Sequence, residues 1–389
     1  MNLIDQFIER FFPPVMKLPT GIYHYQAPPE AEFPYRLHLR IDQEGNGILI
    51  LNASSVFHLN MTAAEYAYHI IKRTPPEAVA ELVSSRYHIP ARQVRADFQD
   101  FNQRLETMIT TPDLDPVAYL GLDREDPYSN VDIPYRLDCA LTYQTGEESG
   151  QHLAPIERVK RELLTEEWKT ILRKTWEAGI PHVIFTGGEP TLRPDLPELI
   201  AFAEKLGMVT GLLTEGLRLT EKDYLQDLLR NGLDHMMILL DPQEEQSWEA
   251  VRDAIAEDIF ITVHLTLTAS NAGKLKENLK KLAEIGVKNI SLSANNPKLK
   301  EVLTESRKTA ADCELNLVWD LPVPYSSFNP VALELTEMGQ DMDTVNSGAG
   351  KAWLYVEPDG DVLSAQGEET VLGNLLTDPW ETIWSTGRT

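Results

Sequence analysis

The residues Phe185-Thr186-Gly187-Gly188-Glu189-Pro190 close an apolar run that begins at His182. Two glycines ahead of a carboxylate let the backbone come close to a neighbour, because neither carries a Cβ. Taken alone, these residues fit two uses. One is a ligand-binding turn that presents Glu189. The other is a tight strand-to-helix turn, with Glu189-Pro190 leading into the next helix. Thr214-Glu215-Gly216 ends a second apolar run, and Gly216 suits a left-handed turn. Asp241-Pro242 follows a third and reads as a helix N-cap. His152, with Glu147, Glu148 and Asp138 nearby in sequence, could seed a Zn2+ or Fe2+ site. No second histidine at helical spacing and no HExxH accompanies it, so it reads as a surface-loop histidine. The two cysteines, Cys139 and Cys313, form no CxxC pattern and read as buried, inert thiols. GxSxG, Walker A and GxGxxG are all missing. No residue earns a catalytic role from its type and spacing.

The elements that must position these residues alternate. Strands are expected at Leu137–Tyr143, His182–Thr186, Val209–Leu213, His235–Leu240, Phe260–Leu267 and Asn289–Leu292. Helical patterns separate or follow them at Thr165–Ala178, Leu196–Leu206, Glu221–Asn231, Glu245–Ala256, Lys274–Ile285 and Lys298–Ala311. Six such repeats imply a parallel sheet curved as a partial (β/α)6 barrel, whose sites gather at the C-terminal strand ends. Tyr143 and Trp353 could line a ligand there; core packing is the plainer use.

Upstream, Pro34 to Ile41 alternates as a strand, Glu44–Gly47 reads as a hairpin turn, and Ile48–Leu51 as its partner. Three helices follow. The first is expected from an N-cap at Thr62 with Glu65 completing a capping box and runs to Lys72. The others run from Pro75-Pro76 to Tyr87 and from Pro90 through Leu105. Asp113 to Pro134 reads as a linker.

The chain has 389 residues, 42% hydrophobic and 24% charged, with a net charge of −25. That length accommodates two or three domains. The negative charge argues against nucleic acid and anionic membrane as partners, since no counterion-release contribution is available. It is compatible with a basic or neutral peptide, although solubility alone would also explain it. No run is long enough to span a membrane. The first twelve residues read as a short amphipathic helix, not a signal peptide, so a cytoplasmic location is expected.

The turn at Gly187–Pro190 resembles the GGEP motif of the radical SAM superfamily. In that family the turn holds the α-amino group of S-adenosylmethionine, so the resemblance assigns Gly187, Gly188, Glu189 and Pro190 to cofactor binding. It adds Thr214, where the family commonly has T-N-G; here Glu215 replaces the Asn. About forty residues upstream the family keeps C-x3-C-x2-C, the ligands of a 4Fe–4S cluster. Thr145, Ser149 and His152 stand in that frame. Thiolates hold such clusters, and hydroxyls with one His do not. The C-terminal stretch from Ser347 through Gly360 to Ala365 resembles a SPASM or twitch extension, again with Ser347 and Ala365 in cysteine positions. The strand pair and three helices upstream, with Asn60–Tyr66, resemble a PqqD-like fold, which in its family binds leader peptides by adding a strand to the sheet edge.

The resulting expectation is an α/β chain in three parts. Residues 1–118 form a winged-helix-like α+β peptide-recognition domain, 119–320 a partial (β/α)6 TIM-type barrel of radical SAM type, and 321–389 a truncated SPASM/twitch-like extension. The resemblance implies S-adenosylmethionine and a 4Fe–4S cluster; the residues do not support the cluster. The leading expectation is a peptide-binding pseudoenzyme, acting as partner or escort of an active maturase. Two alternatives stand beside it. One is a peptide-modifying radical SAM enzyme whose cluster cysteines were replaced in this version. The other is a cluster-independent protein that binds S-adenosylmethionine.

Overall fold

A computed structural model describes residues 17–28, 30–111, 114, 119–120, 131–145, 158–294, 297–318 and 348–387. The expected linker lies largely outside them, as do Ser149, His152 and Ser347. The chain divides into two compact units, Met1–Pro127 and Tyr128–Thr389.

In the first unit, β1 (Gly21–Gln26), β2 (Arg36–Ile41), β3 (Gly47–Leu51) and β4 (Ser55–Leu59) form an antiparallel sheet in chain order. Three helices follow: α1 (Met61–Ile71), α2 (Pro76–Tyr87) and α3 (Ala91–Thr110). Leu37, Leu39 and Ile41 of β2 and Leu49 and Leu51 of β3 share one core with Ala67, Ile71 and Leu105. The sequence reading located β2 and β3 and missed β1 and β4. The β3–β4 hairpin turns through Asn52 and Ala53, both at positive φ (51° and 55°). That left-handed turn lacks the Asn-Gly pair that would have signalled it.

The cap of α1 also departs from expectation. Asn60 Oδ1, not Thr62, accepts the Ala63 N–H at 3.0 Å. Glu65 does not complete a capping box. It is fully buried, accepts Arg86 Nε at 2.9 Å and lies 3.5 Å from His69 Nε2. Burial pushes the Glu65 carboxyl up, and hydrogen bonds from His69, Tyr87 and Arg86 outweigh it and hold it below its ordinary value. Arg86→Ala strands that charge, so urea unfolding should show this unit destabilised by about 3 kcal/mol. A change within experimental error would mean that His69 and Tyr87 suffice.

The second unit alternates β5 (Arg136–Thr142), α4 (Thr165–Glu177), β6 (His182–Gly187), α5 (Leu196–Leu206), β7 (Val209–Thr214), α6 (Lys222–Arg230) and β8 (His235–Leu239). It continues with α7 (Glu245–Ile255), β9 (Phe260–Leu267), α8 (Leu275–Glu284), β10 (Asn289–Ala294), α9 (Lys300–Asp312) and β11 (Asn316–Leu317). These strands lie parallel in the order β11-β10-β9-β8-β7-β6-β5. Beyond β5 come β12 (Trp353–Val356), parallel to it, then β13 (Asp361–Leu363) and β14 (Gly373–Asn374), both antiparallel; α10 (Trp380–Thr386) follows. The C-terminal hairpin thus continues the barrel sheet. The end strands β11 and β14 do not pair, so the (β/α)6 barrel is partial and open.

Period-2 alternation divides the sheet's two faces. Val183, Phe185, Leu212, Met236, Ile238, Val263 and Leu265 pack into the large core that includes Trp168, Leu199, Leu228, Trp248 and Leu279 of the helices. Ile184, Leu213 and Met237 form a separate cluster on the other face. All six strands and six helices expected here form, with no end shifted by more than two residues.

Candidate functional site

The glycine turn sits at the C-terminal end of β6. The β5–β6 ladder shifts register between Ala140 and Thr142, which brings Thr142 opposite Gly187. The ladder then continues into the turn: Gly188 N–H donates to Thr142 O at 2.7 Å and Glu189 N–H to Gln144 O at 2.7 Å. Such closeness requires glycine. A Cβ on Gly187, whose φ is +126°, would lie 2.2 Å from Thr142 O, and one on Gly188 would lie 2.1 Å from Gln144 O.

This backbone fixes Glu189, which is buried. Its Oε1 accepts Thr191 N–H at 3.0 Å, Thr191 Oγ1 at 2.5 Å and Thr214 Oγ1 at 2.8 Å. Among the described residues its Oε2 accepts only the Glu215 N–H, at 2.7 Å. The Thr214 hydroxyl also accepts the Gly216 N–H at 3.0 Å, with Gly216 at φ +82°. Pro190 opens the short turn that Glu189 caps. The predicted residues Gly187, Gly188, Glu189, Pro190 and Thr214 therefore converge on one carboxylate. An ionised carboxylate has about four acceptor positions, so Oε2 keeps room for a further donor. The neighbouring Thr186 hydroxyl is buried with no partner among the described residues.

Other expected contributors do not join this group. Asp241 is exposed and accepts the Gln243 N–H at 2.9 Å, the capping use. Tyr143 packs with Ala140, Tyr355 and Leu363, and its hydroxyl donates to Glu357 Oε1 at 2.9 Å. Trp353 lies under the Arg136 guanidinium, 4.9 Å from ring to Cζ. Thr145 and Ala365 are half-buried.

The sequence reading singled out His152 among the histidines; the strands instead pair two others and bury a third on β9. His182 and His235 open β6 and β8 and meet Nε2 to Nε2 at 2.7 Å. Gly211 of the strand between leaves their space open; a Cβ there would lie 2.3 Å from His235 Cε1. His264 of β9 contacts Ser291 Oγ through Nδ1 and both Thr266 Oγ1 and Ser293 Oγ through Nε2, each at 3.1 Å. Their place at inward-facing positions of alternating strands was the available signal. Among the described residues, Glu357, Asp359 and Asp361 also place carboxylate oxygens within 4.8 Å of one another. Glu357 is already neutralised by Arg158 Nη2 at 2.6 Å, and Asp361 accepts Asn374 Nδ2 at 2.8 Å, so the group braces its own hairpin.

An iron–sulfur cluster does not fit this chain. Cys139 is fully buried in the core, and burial pushes its thiol well above the ordinary value. Cys313 ends α9 beside β11, with five strands between that edge and β5. Two thiols so placed cannot share one cluster.

An open parallel α/β barrel with a glycine–carboxylate turn at the C-terminal end of its second strand defines the class. Residues 139–241 match the model of the Radical SAM superfamily. A PqqA peptide cyclase of Streptomyces rochei is 34% identical over 154 residues, covering 36% of this chain and 42% of that protein. One from Bradyrhizobium diazoefficiens is 35% identical over 148 residues, covering 36% and 38%. These matches span about two fifths of the relatives' length. Streptococcus suis SuiB bound to S-adenosylmethionine superposes with TM-score 0.61 at 15% identity, over 90% of this chain and 86% of that one. SuiB bound to precursor peptide SuiA gives 0.59 at 14%, over 89% and 86%. At these identities the likeness is one of fold. No helix among the described residues is long and apolar enough to cross a membrane.

Proposed function

We propose that this chain is a peptide-modifying radical SAM protein in architecture whose cluster thiols have been replaced in this version. It retains peptide and S-adenosylmethionine binding and lacks radical chemistry. The observation that carries this reading is the intact Glu189 cradle in a chain with only two cysteines. Glu189 Oε2 and the Thr186 hydroxyl would receive the amino acid end of S-adenosylmethionine; without iron, affinity would be weak. The names of the relatives and the SuiA-bound neighbour support a peptide substrate. The first unit, PqqD-like in this reading, would take a leader-type peptide on the edge of β4 beside α3.

The test restores the frame with Thr145→Cys, Ser149→Cys and His152→Cys together. After anaerobic reconstitution the variant should hold iron and sulfide near four each per chain and cleave S-adenosylmethionine reductively to deoxyadenosine, while the parent holds neither. A variant that takes up no cluster would overturn the reading, as would a stoichiometric cluster in the parent. A second reading, a peptide-binding escort for an active maturase, is favoured by the replacement of all five ligand positions. It predicts that the restored variant stays inactive.

A further inference from the structure

A cleft of about 330 Å3 opens beside the glycine turn, lined in part by Gln144, Glu162, Leu164, Leu192, Arg193 and Asp195. None of the donors to the Glu189 carboxylate lines it, although Thr142 and Gln144, whose carbonyls brace the glycine turn, do. It lies where β5 ends and α4 begins, on the rim where barrels of this type bind ligands.

Its charges do not cancel. Arg193 is spent on Asp195, with Nε to Oδ1 at 2.9 Å and Nη2 to Oδ2 at 2.7 Å, and its Nη1 donates to the carbonyls of Leu141 and Leu163. Thr165 Oγ1 adds a further bond to Asp195 at 2.7 Å. That ion pair is neutral and saturated. Glu162 has no cation partner among the described residues. Its Oε1 accepts the Thr142 hydroxyl at 2.5 Å and the Tyr143 N–H at 3.1 Å, and no donor among the described residues reaches Oε2. The cleft is also apolar at its margin, where Leu164 is 68% and Leu192 40% exposed. A half-buried carboxylate with a free oxygen, flanked by exposed leucines, repels anions and rewards a cation on a hydrocarbon stem.

We propose that this cleft binds the side chain of a Lys or Arg residue of a peptide, with Glu162 Oε2 as counterion and Leu164 and Leu192 against the methylenes. The peptide source rests on the function proposed above; the chemistry of the cleft does not. The chain's overall negative charge would draw such a ligand in.

The test uses the full chain and blocked amino acids, followed by calorimetry and amide shifts of Gln144 and Leu164. Nα-acetyl-lysine N-methylamide and its arginine counterpart should bind at least about tenfold more tightly than the norleucine analogue, an advantage that added salt reduces. The glutamate analogue should not bind. Glu162→Gln keeps an acceptor for Thr142 and Tyr143 and should remove the preference for a cation. Leu192→Ser leaves the Glu162 bonds intact and should weaken lysine and norleucine analogues alike. Equal affinity for the two analogues, no binding, or an unchanged lysine preference in Glu162→Gln would overturn the proposal. These probes need neither a cluster nor a leader peptide, so their failure is distinguishable from failure of the thiol-restored variant.

Discussion

Between pH 6.5 and 4 the barrel unit is expected to lose a large share of its stability. The cause is two buried histidines, His182 and His264, and the half-buried His235, with no carboxylate among their described hydrogen-bond partners. Burial pulls His264 and His235 each down to about 4, and the Arg136 guanidinium adds to the effect on His235. His182 lies well below its ordinary value through burial, then His235, then Arg136. Asp138 is near, but Arg136 holds it with Nε to Oδ1 at 2.8 Å and Nη2 to Oδ2 at 3.2 Å. The His182–His235 contact needs one donating and one accepting Nε2, and a proton on the acceptor removes the bond. The sign follows from proton counting. Above pH 6.5 the rings are neutral in both folded and unfolded chains. Below it the unfolded chain takes up protons that the folded chain refuses, so stability falls until the folded values near 4 are reached. A drop from 6.5 to about 4 is worth about 3 kcal/mol for His264 alone, and a similar amount for His235. Against a typical total of about 5–15 kcal/mol, a combined loss of about 6 kcal/mol is a large share of the unit's stability. Urea midpoints at pH 7, 6, 5 and 4.5 check it. A midpoint flat across that range would show that other groups neutralise these rings.

The barrel was legible because its signal is redundant. Each βα repeat combines a short apolar run with a 3.6-period helix, and four of the six end the helix at a glycine: Gly179, Gly207, Gly232 and Gly286. The glycine–carboxylate turn was legible because its residues are contiguous. The partners that fix it were only half visible. Thr214 and Glu215 were singled out at the end of β7, but Thr191 and the carbonyls of Thr142 and Gln144 act through tertiary register alone. The histidine pair shows the same limit. His182 and His235 are 53 positions apart, and only the parallel register around Gly211 brings them together. In the first unit, β1 was hidden by its few aliphatic residues: Tyr23 and Tyr25 supply the apolar positions of GIYHYQ. Glu65 fitted a capping pattern by spacing. Burial with Arg86 overrode it, because an ion pair formed in the core outweighs a solvent-exposed cap.

Gly188→Ala is expected to be among the costliest single-methyl changes in the barrel. The three atoms nearest the added Cβ are all backbone: Gln144 O at 2.1 Å, Gln144 C at 2.8 Å and Tyr143 C at 2.9 Å. No flexible side-chain end is available to yield, so the strand pair itself must separate. That breaks the bonds from Gly188 N–H to Thr142 O and from Glu189 N–H to Gln144 O, and it drags the Glu189 carboxylate from Thr214 and Glu215. Replacing Gly by Ala ordinarily stabilises by about 0.4–1 kcal/mol through the unfolded chain, where the native geometry allows it. Here the steric cost dominates, and a loss of about 4 kcal/mol is expected, the range reached when a substitution forces backbone apart. For a unit of this size that lowers the melting temperature by roughly 10 °C. Gly273→Ala is the matched control, because a Cβ there meets nothing within 4 Å. It should melt within a degree or two of the parent. If Gly188→Ala behaves like Gly273→Ala in a thermal melt, the close approach of β5 to the turn does not exist in solution. The Glu189 cradle would then have no fixed geometry with which to hold a ligand.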